Sequence, residues 1–260
     1  MKKIAFIFLV TFIFQSCLGN AEKIEILNIK QIEGNLTYNV SISENINHKA
    51  WDVLLKKHVD NNGFVNYNDF LNDQEQLSSY LKHLSLNFPD DSWSVEEQLA
   101  YYINLYNAAT IDIILKYYPI KSIKEIKTPW KISNIKMGEN YFSLGDLEHK
   151  FLRKMNDPRI HFAINCASIS CPKLLNEAFI ASKMEEQLGR VTKDFINGNK
   201  NDISVSNPKL SKIFKWYKKD FKTGENQDLI SFINQYSTLK IELGAKLEFM
   251  EYNWNLNEQE

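Results

Sequence analysis

DPRIHFAINCASISCPKL, residues 157–174, is the stretch from which the rest of the chain can be read. Asp157-Pro158 is a turn signal, Ile160 to Cys166 is an apolar run of strand length, and Cys171-Pro172 marks a second turn. Read as a strand of period two, it places Ile160, Phe162, Ile164 and Cys166 on one face. Arg159, His161, Ala163 and Asn165 fall on the other. His161 then points away from Cys166 unless a bulge intervenes. Ala167 to Ser170, small except for Ile169, leave room for a ligand or a close backbone approach. Two of the three cysteines lie in this window, so any chemistry is expected here.

The flanking segments read as helices. Ser94 and Glu97 form a capping box that opens a helix to Tyr118, where Pro119 ends it. Residues 99–115 are apolar nearly all round, as in a helix inside the fold. Asn104 and Asn107 interrupt that pattern and share one side. They are either structural amides that hold backbone or polar groups of a site. A second helix is expected from Ser143 to Met155, with Leu144, Leu147, Phe151, Leu152 and Met155 as its apolar stripe. At 100° per residue Glu148 falls inside that stripe, with His149 and Arg153 at its margin. A carboxylate on a buried side must be paired or strongly hydrogen-bonded. Glu148 is therefore either half of a structural ion pair or an acid beside His149.

Further out, residues 177–196 read as a helix, 210–221 as an aromatic helix packed into the core, 229–236 as a short helix and 247–252 as a final strand. Before the long helix, 49–59 and 69–86 read as helices, with a turn at Asn61-Asn62-Gly63 and a short extended piece at 64–67. The ligand spacing of a calcium loop is absent there. Short strands are expected within 120–143. The fold class is α+β: a mostly helical single domain with a small sheet containing 159–166 and 247–252.

Residues 1–16 stand apart. Lys2 and Lys3 precede an apolar run from Ile4 to Phe14, the pattern of a secretory signal. Cys17 follows, as in a bacterial lipoprotein. The organisation read is thus a signal peptide at 1–16, a lipid anchor and tether at 17–47 and one domain at 48–256. A stretch at 36–42 permits a strand within the tether. The chain has 260 residues, 31 basic and 32 acidic, with a net charge of −1. Such a balance gives no basic surface for nucleic acid. Export places Cys166 and Cys171 in an oxidising compartment, where they can pair.

The stretches QLAYYINLYNAATI, SLGDLEHKFLR, RIHFAINCASISCPKL, SKIFKWYKKDF and MEYNWNLN resemble domain-of-unknown-function family 547, in order, from about Trp51 to Leu256. The family's pattern includes Asn104, Asn107, Glu148, His149, Arg153 and Cys166. The resemblance implies that positions 161 and 171 vary, and so favours His149 over His161 as partner of Cys166. It carries no activity with it.

Three functions compete. In a thiol-dependent hydrolase or acyl transferase, with a cysteine-protease-like constellation, Cys166 attacks and His149 takes its proton. Glu148 or Asn107 orients the imidazole, and Asn104 or amides near Ser168 bind the oxyanion. His161, Ser168 and Arg153 are candidate ligand contacts, and a peptide, amide or envelope ligand suits the location. In a non-catalytic envelope binding module, the same residues form a satisfied polar core. A zinc site would use His149, His161, Cys166 and Cys171, but the cysteine spacing is loose for it. No cofactor is implied.

Lipid on Cys17 should hold the protein to a membrane, each buried CH₂ giving ~0.8 kcal/mol. Mass spectrometry of the mature N-terminus should find a diacylglyceryl cysteine. An unmodified terminus at or beyond Leu18 would show that Cys17 is incidental.

Overall fold

Trp51, Leu54, Leu55 and His58 recur at helical spacing and form the buried face of α1 (Lys49–His58). The structure is a computed structural model and describes residues 46–222 and 228–260. The signal segment, Cys17 and the strand expected at 36–42 lie outside the described residues. After α1, Val59 and Val65 bridge across the turn at Gly63. Gly63 sits at φ +83°, and a Cβ there would come within 2.8 Å of the Leu174 amide nitrogen. The turn therefore needs glycine both for its left-handed backbone and for its contact with the end of the cysteine loop. Then come α2 (Tyr67–Phe70) and α3 (Gln74–Leu86), separated by a single 3-10 turn.

α4 (Val95–Tyr117) is the central element and is buried along most of its length. The Ser94 hydroxyl accepts from the Glu97 amide and the Glu97 carboxylate accepts from the Ser94 amide, so the capping box closes as the sequence predicts. α4 packs against α3 on one side and against the 144–155 segment and later helices on another. Between them β1 (Ile135–Met137) and β2 (Asn140–Phe142) form an antiparallel hairpin. α5 (Leu144–Asp146) is capped by Ser143 and does not continue as a regular helix. It widens into a π turn over Leu147–Phe151 and tightens into a 3-10 turn over Leu152–Met155.

The stretch 159–166 is not a strand. Residues 160–163 form α6 (Ile160–Ala163), and the chain then turns into an extended loop. Asp157 starts this helix: its side chain accepts from the Arg159 amide, and its carbonyl accepts from Ile160. Every residue from Ile160 to Asn165 is buried, so a period of two carried no information about faces. The separation of His161 from Cys166 inferred from alternation falls with the strand.

α7 (Met184–Asn197) starts seven residues later than its sequence suggests, after a 3-10 turn at Ala181–Lys183. Its Phe195 meets Phe162 of α6 with ring centroids 5.0 Å apart. Next come β3 (Lys209–Leu210), α8 (Lys212–Trp216), α9 (Leu229–Tyr236) and β4 (Glu248–Phe249). The aromatic helix expected over 210–221 is reduced to α8, and the final strand to two residues paired in parallel with β3. The class is α+β and mostly helical, with two small sheets among the described residues in place of the one expected.

Side-chain amides do the work expected of that missing strand. Asn107 donates to the Ala163 carbonyl at 3.0 Å and accepts from the Asn165 amide at 2.8 Å. Asn104 treats Phe179 in the same way, at 2.7 and 3.0 Å. Asn165 accepts from the Ala167 amide and donates to the Pro172 carbonyl, both at 2.7 Å. That closes the loop around Cys166 and holds Ala167 at φ +57°. The C-terminal segment then pairs with the loop: Ile169 donates to Asn255 and Ser170 to Asn253.

Asn107→Ala should therefore destabilise the domain. Two buried backbone groups lose their partner, at ~1–3 kcal/mol each, so a loss of roughly 3 kcal/mol is expected in urea unfolding. A change below about 1 kcal/mol would mean that the loop is held by other contacts.

Candidate active site

The loop, the π turn and the C-terminal segment line an open-sided cavity of about 330 Å³. Cys166, Glu148, His149 and His161 all line it, together with Tyr217, Tyr252, Trp216 and Trp254. Residues on opposite faces of the expected strand thus share one wall.

Cys166 is partly exposed and Cys171 is buried; both are free thiols. Their sulfurs lie 2.6 Å apart. The Cys166 sulfur is also 3.3 Å from the Ser168 hydroxyl and 3.4 Å from that of Tyr252. The Cys171 hydrogen bond holds the Cys166 thiol below its usual range, and the Ser168 and Tyr252 hydroxyls add to this against the opposing effect of burial. Burial pushes the Cys171 thiol well up. Either sulfur can donate across this contact, and the opposite directions of the two shifts favour thiolate on Cys166, the more exposed of the two. Ser168 donates to the Tyr252 oxygen at 3.0 Å. Burial and the two nearby sulfurs raise Tyr252, so its hydroxyl stays a donor.

His161 is buried and stacks on Tyr217 with ring centroids 4.0 Å apart. Its Nε2 lies 2.9 Å from Oδ2 of Asp220, and its buried Nδ1 has no hydrogen-bond partner. Arg153 grips the same carboxylate through Nε at 2.6 Å and Nη2 at 2.7 Å. Burial pushes the Asp220 carboxyl up, but hydrogen bonds from His161 and Arg153 outweigh it and hold it far below the usual carboxylate range. A carboxylate at Nε2 fixes that nitrogen as the donor and leaves the Nδ1 lone pair free. His161 and Cys166 share the cavity, and among the described residues no hydrogen bond yet joins them.

His149 sits differently. Its side chain is 55% exposed, and its Nδ1 lies 3.1 Å from Nη1 of Arg153. Since guanidinium only donates, that nitrogen accepts. Glu148 is the buried residue of the pair. It lies in the π turn, and such turns recur at functional sites. Tyr217 hydrogen-bonds its carboxylate, while Oε1 is buried without a hydrogen bond.

The structure thus brings Cys166, Glu148, His149 and His161 to one cavity. Ser168 touches the Cys166 sulfur from behind, and Arg153 holds Asp220. Asn104 and Asn107, read as catalytic groups, are spent on Phe179, Ala163 and Asn165 and do not line the cavity. Among the described residues no group of three or more His, Cys, Asp or Glu side chains is placed to hold a metal ion. Asp220, Tyr217 and Tyr252 were not singled out from the sequence. The signal for Asp220 was its place in the quoted SKIFKWYKKDF. Trp216 was read as core, yet it is 47% exposed at the cavity's edge.

Residues 91–196 match the model of a family described as a protein of unknown function, DUF547. This span holds α4, the π turn, the cysteine loop and α7, but ends before Tyr217, Asp220, Tyr252 and Trp254. No curated protein and no solved structure is significantly similar to the chain.

Cys171→Ala should raise the thiol pKa of Cys166, because it removes the largest effect that lowers it. The pH dependence of iodoacetamide alkylation reads this directly. An unchanged or lower midpoint would mean that Cys171 does not donate to Cys166.

Proposed function

We propose a function from the site itself, because the family model that residues 91–196 match is described without an activity: a thiol-dependent hydrolase or acyl transferase. Cys166 is the nucleophile, and His161, oriented by Asp220, is the base. The observation that carries this reading is a buried His161, bonded to the part-buried Asp220 and with its second ring nitrogen unpartnered, lining one cavity with a partly exposed thiol held below its usual range. Nucleophile, base and orienting group are the parts that covalent catalysis requires. Hydrogen bonds between such groups are often loose before substrate binds.

In the reaction, Nδ1 of His161 takes the Cys166 proton and Sγ attacks the substrate carbonyl carbon. The developing oxyanion meets the Tyr252 hydroxyl, a fixed donor beside the sulfur. The imidazolium returns its proton to the leaving nitrogen or oxygen as the carbon–heteroatom bond breaks, leaving a thioester on Cys166. Water or an acceptor amine attacks that thioester and loses a proton to His161. The acyl product departs and the thiol is restored. Asp220, held in place by Arg153, keeps the imidazole in one tautomer throughout. His149 stands outside this relay.

The N-terminal pattern supports a location at the bacterial cell envelope, with lipid on Cys17 and the domain in the periplasm or at the cell surface. Peptides and amides are the acyl substrates suited to that place. The competing reading is a non-catalytic binding module that uses the same cavity.

The test is alkylation of the reduced protein. His161→Ala should slow Cys166 alkylation at pH 7 about tenfold or more, a typical scale for losing a base. Asp220→Asn should slow it less, and His149→Ala should change it under about twofold. Equal rates in wild type and His161→Ala would refute the relay and leave the binding module.

A further inference from the structure

Glu148 is the buried carboxylate of the cavity, and the relay does not use it. A carboxylate accepts about four hydrogen bonds. Glu148 takes one from Tyr217, and its buried Oε1 takes none. The nearby cations are already committed. Arg153 gives Nε and Nη2 to Asp220 and Nη1 to His149. Nδ1 of His149 lies 3.9 Å from Oε1, but it accepts from Arg153 and so has no proton to offer. A buried carboxylate oxygen without a donor is costly and calls for a partner from outside the chain.

The rest of the cavity describes that partner. Its lining is rich in aromatic rings, with Tyr106 and Tyr217 beside Glu148 and Trp130 and Trp254 elsewhere around the space. Aromatic faces attract a cation through their ring quadrupoles and suit an apolar group beside it. Oε1 lacks a hydrogen-bond donor, so an ammonium bearing N–H fits better than a quaternary one. The volume of about 330 Å³ lies at the small end of ligand sites.

We propose that this cavity binds a primary ammonium group at Glu148, with an apolar substituent against the aromatic walls. Cys166 lines the same cavity, so the acyl group under attack carries the amine. The substrate class is an aminoacyl compound, such as the free N-terminal residue of a peptide. The cation site stands on its own geometry, while its meaning as substrate specificity rests on the thiol-enzyme reading above.

The experiment uses full-length protein carrying Cys166→Ser, so that no covalent step intervenes, and follows tryptophan fluorescence. Benzylamine is titrated against benzyl alcohol, which has the same ring and no charge. Saturable binding of benzylamine, about tenfold or more tighter than the alcohol, is expected. Glu148→Gln should bring the two within about twofold. Equal affinity for both, no saturable binding of benzylamine, or a preference that persists in Glu148→Gln would overturn the proposal. The wild-type-cavity comparison remains decisive even where Glu148→Gln does not fold. An amine preference with an unreactive Cys166 would sink the thiol enzyme and leave the cation site. A reactive, His161-dependent Cys166 without that preference would do the reverse.

Discussion

The loop that carries Cys166 depends on an amide side chain from the central helix. Asn107 binds the Ala163 carbonyl and the Asn165 amide at once, standing in for a neighbouring strand where no strand exists. A helix buried almost all round cannot supply such a group from its own backbone, whose donors and acceptors are spent within the helix. A side-chain amide is the short polar unit with both a donor and an acceptor. Through it, the position of the Cys166 loop is tied to the long buried helix α4.

From that anchor the site is assembled in layers. Asn165 closes the loop, Ala167 takes a left-handed backbone, and the C-terminal segment lies along the outside and brings Tyr252 to the sulfur. On the opposite wall, the π turn at Leu147–Phe151 changes the angular spacing of its residues. Glu148 is buried there and His149 is exposed. Arg153, one turn later, spends its guanidinium on Asp220, which in turn fixes His161. The run of charged and polar groups from the buried His161 and Glu148 to the part-buried Arg153 and Asp220 is thus paired with few loose ends, as low-dielectric surroundings demand. The two loose ends, Nδ1 of His161 and Oε1 of Glu148, both belong to residues that line the cavity.

The sequence by itself determined the α+β class, the capping box at Ser94 and the long buried helix. It also marked out Cys166, Glu148, His149 and His161 as residues worth following. Those features rest on contacts between near neighbours: a cap spans three residues and a helical stripe repeats within four. What alternation could not settle was the state of residues 160–165, because each is buried whichever way the backbone turns. Tertiary structure alone decided that they begin as a helix, that α5 opens into a π turn, and that His161 rather than His149 is the histidine fixed by a carboxylate. His161 lies 59 residues from Asp220 and Cys166 lies 86 from Tyr252. No local propensity connects positions so far apart. Only packing of the whole core, which places the segment after α8 against α6 and the C-terminus against the cysteine loop, brings those side chains within hydrogen-bond reach.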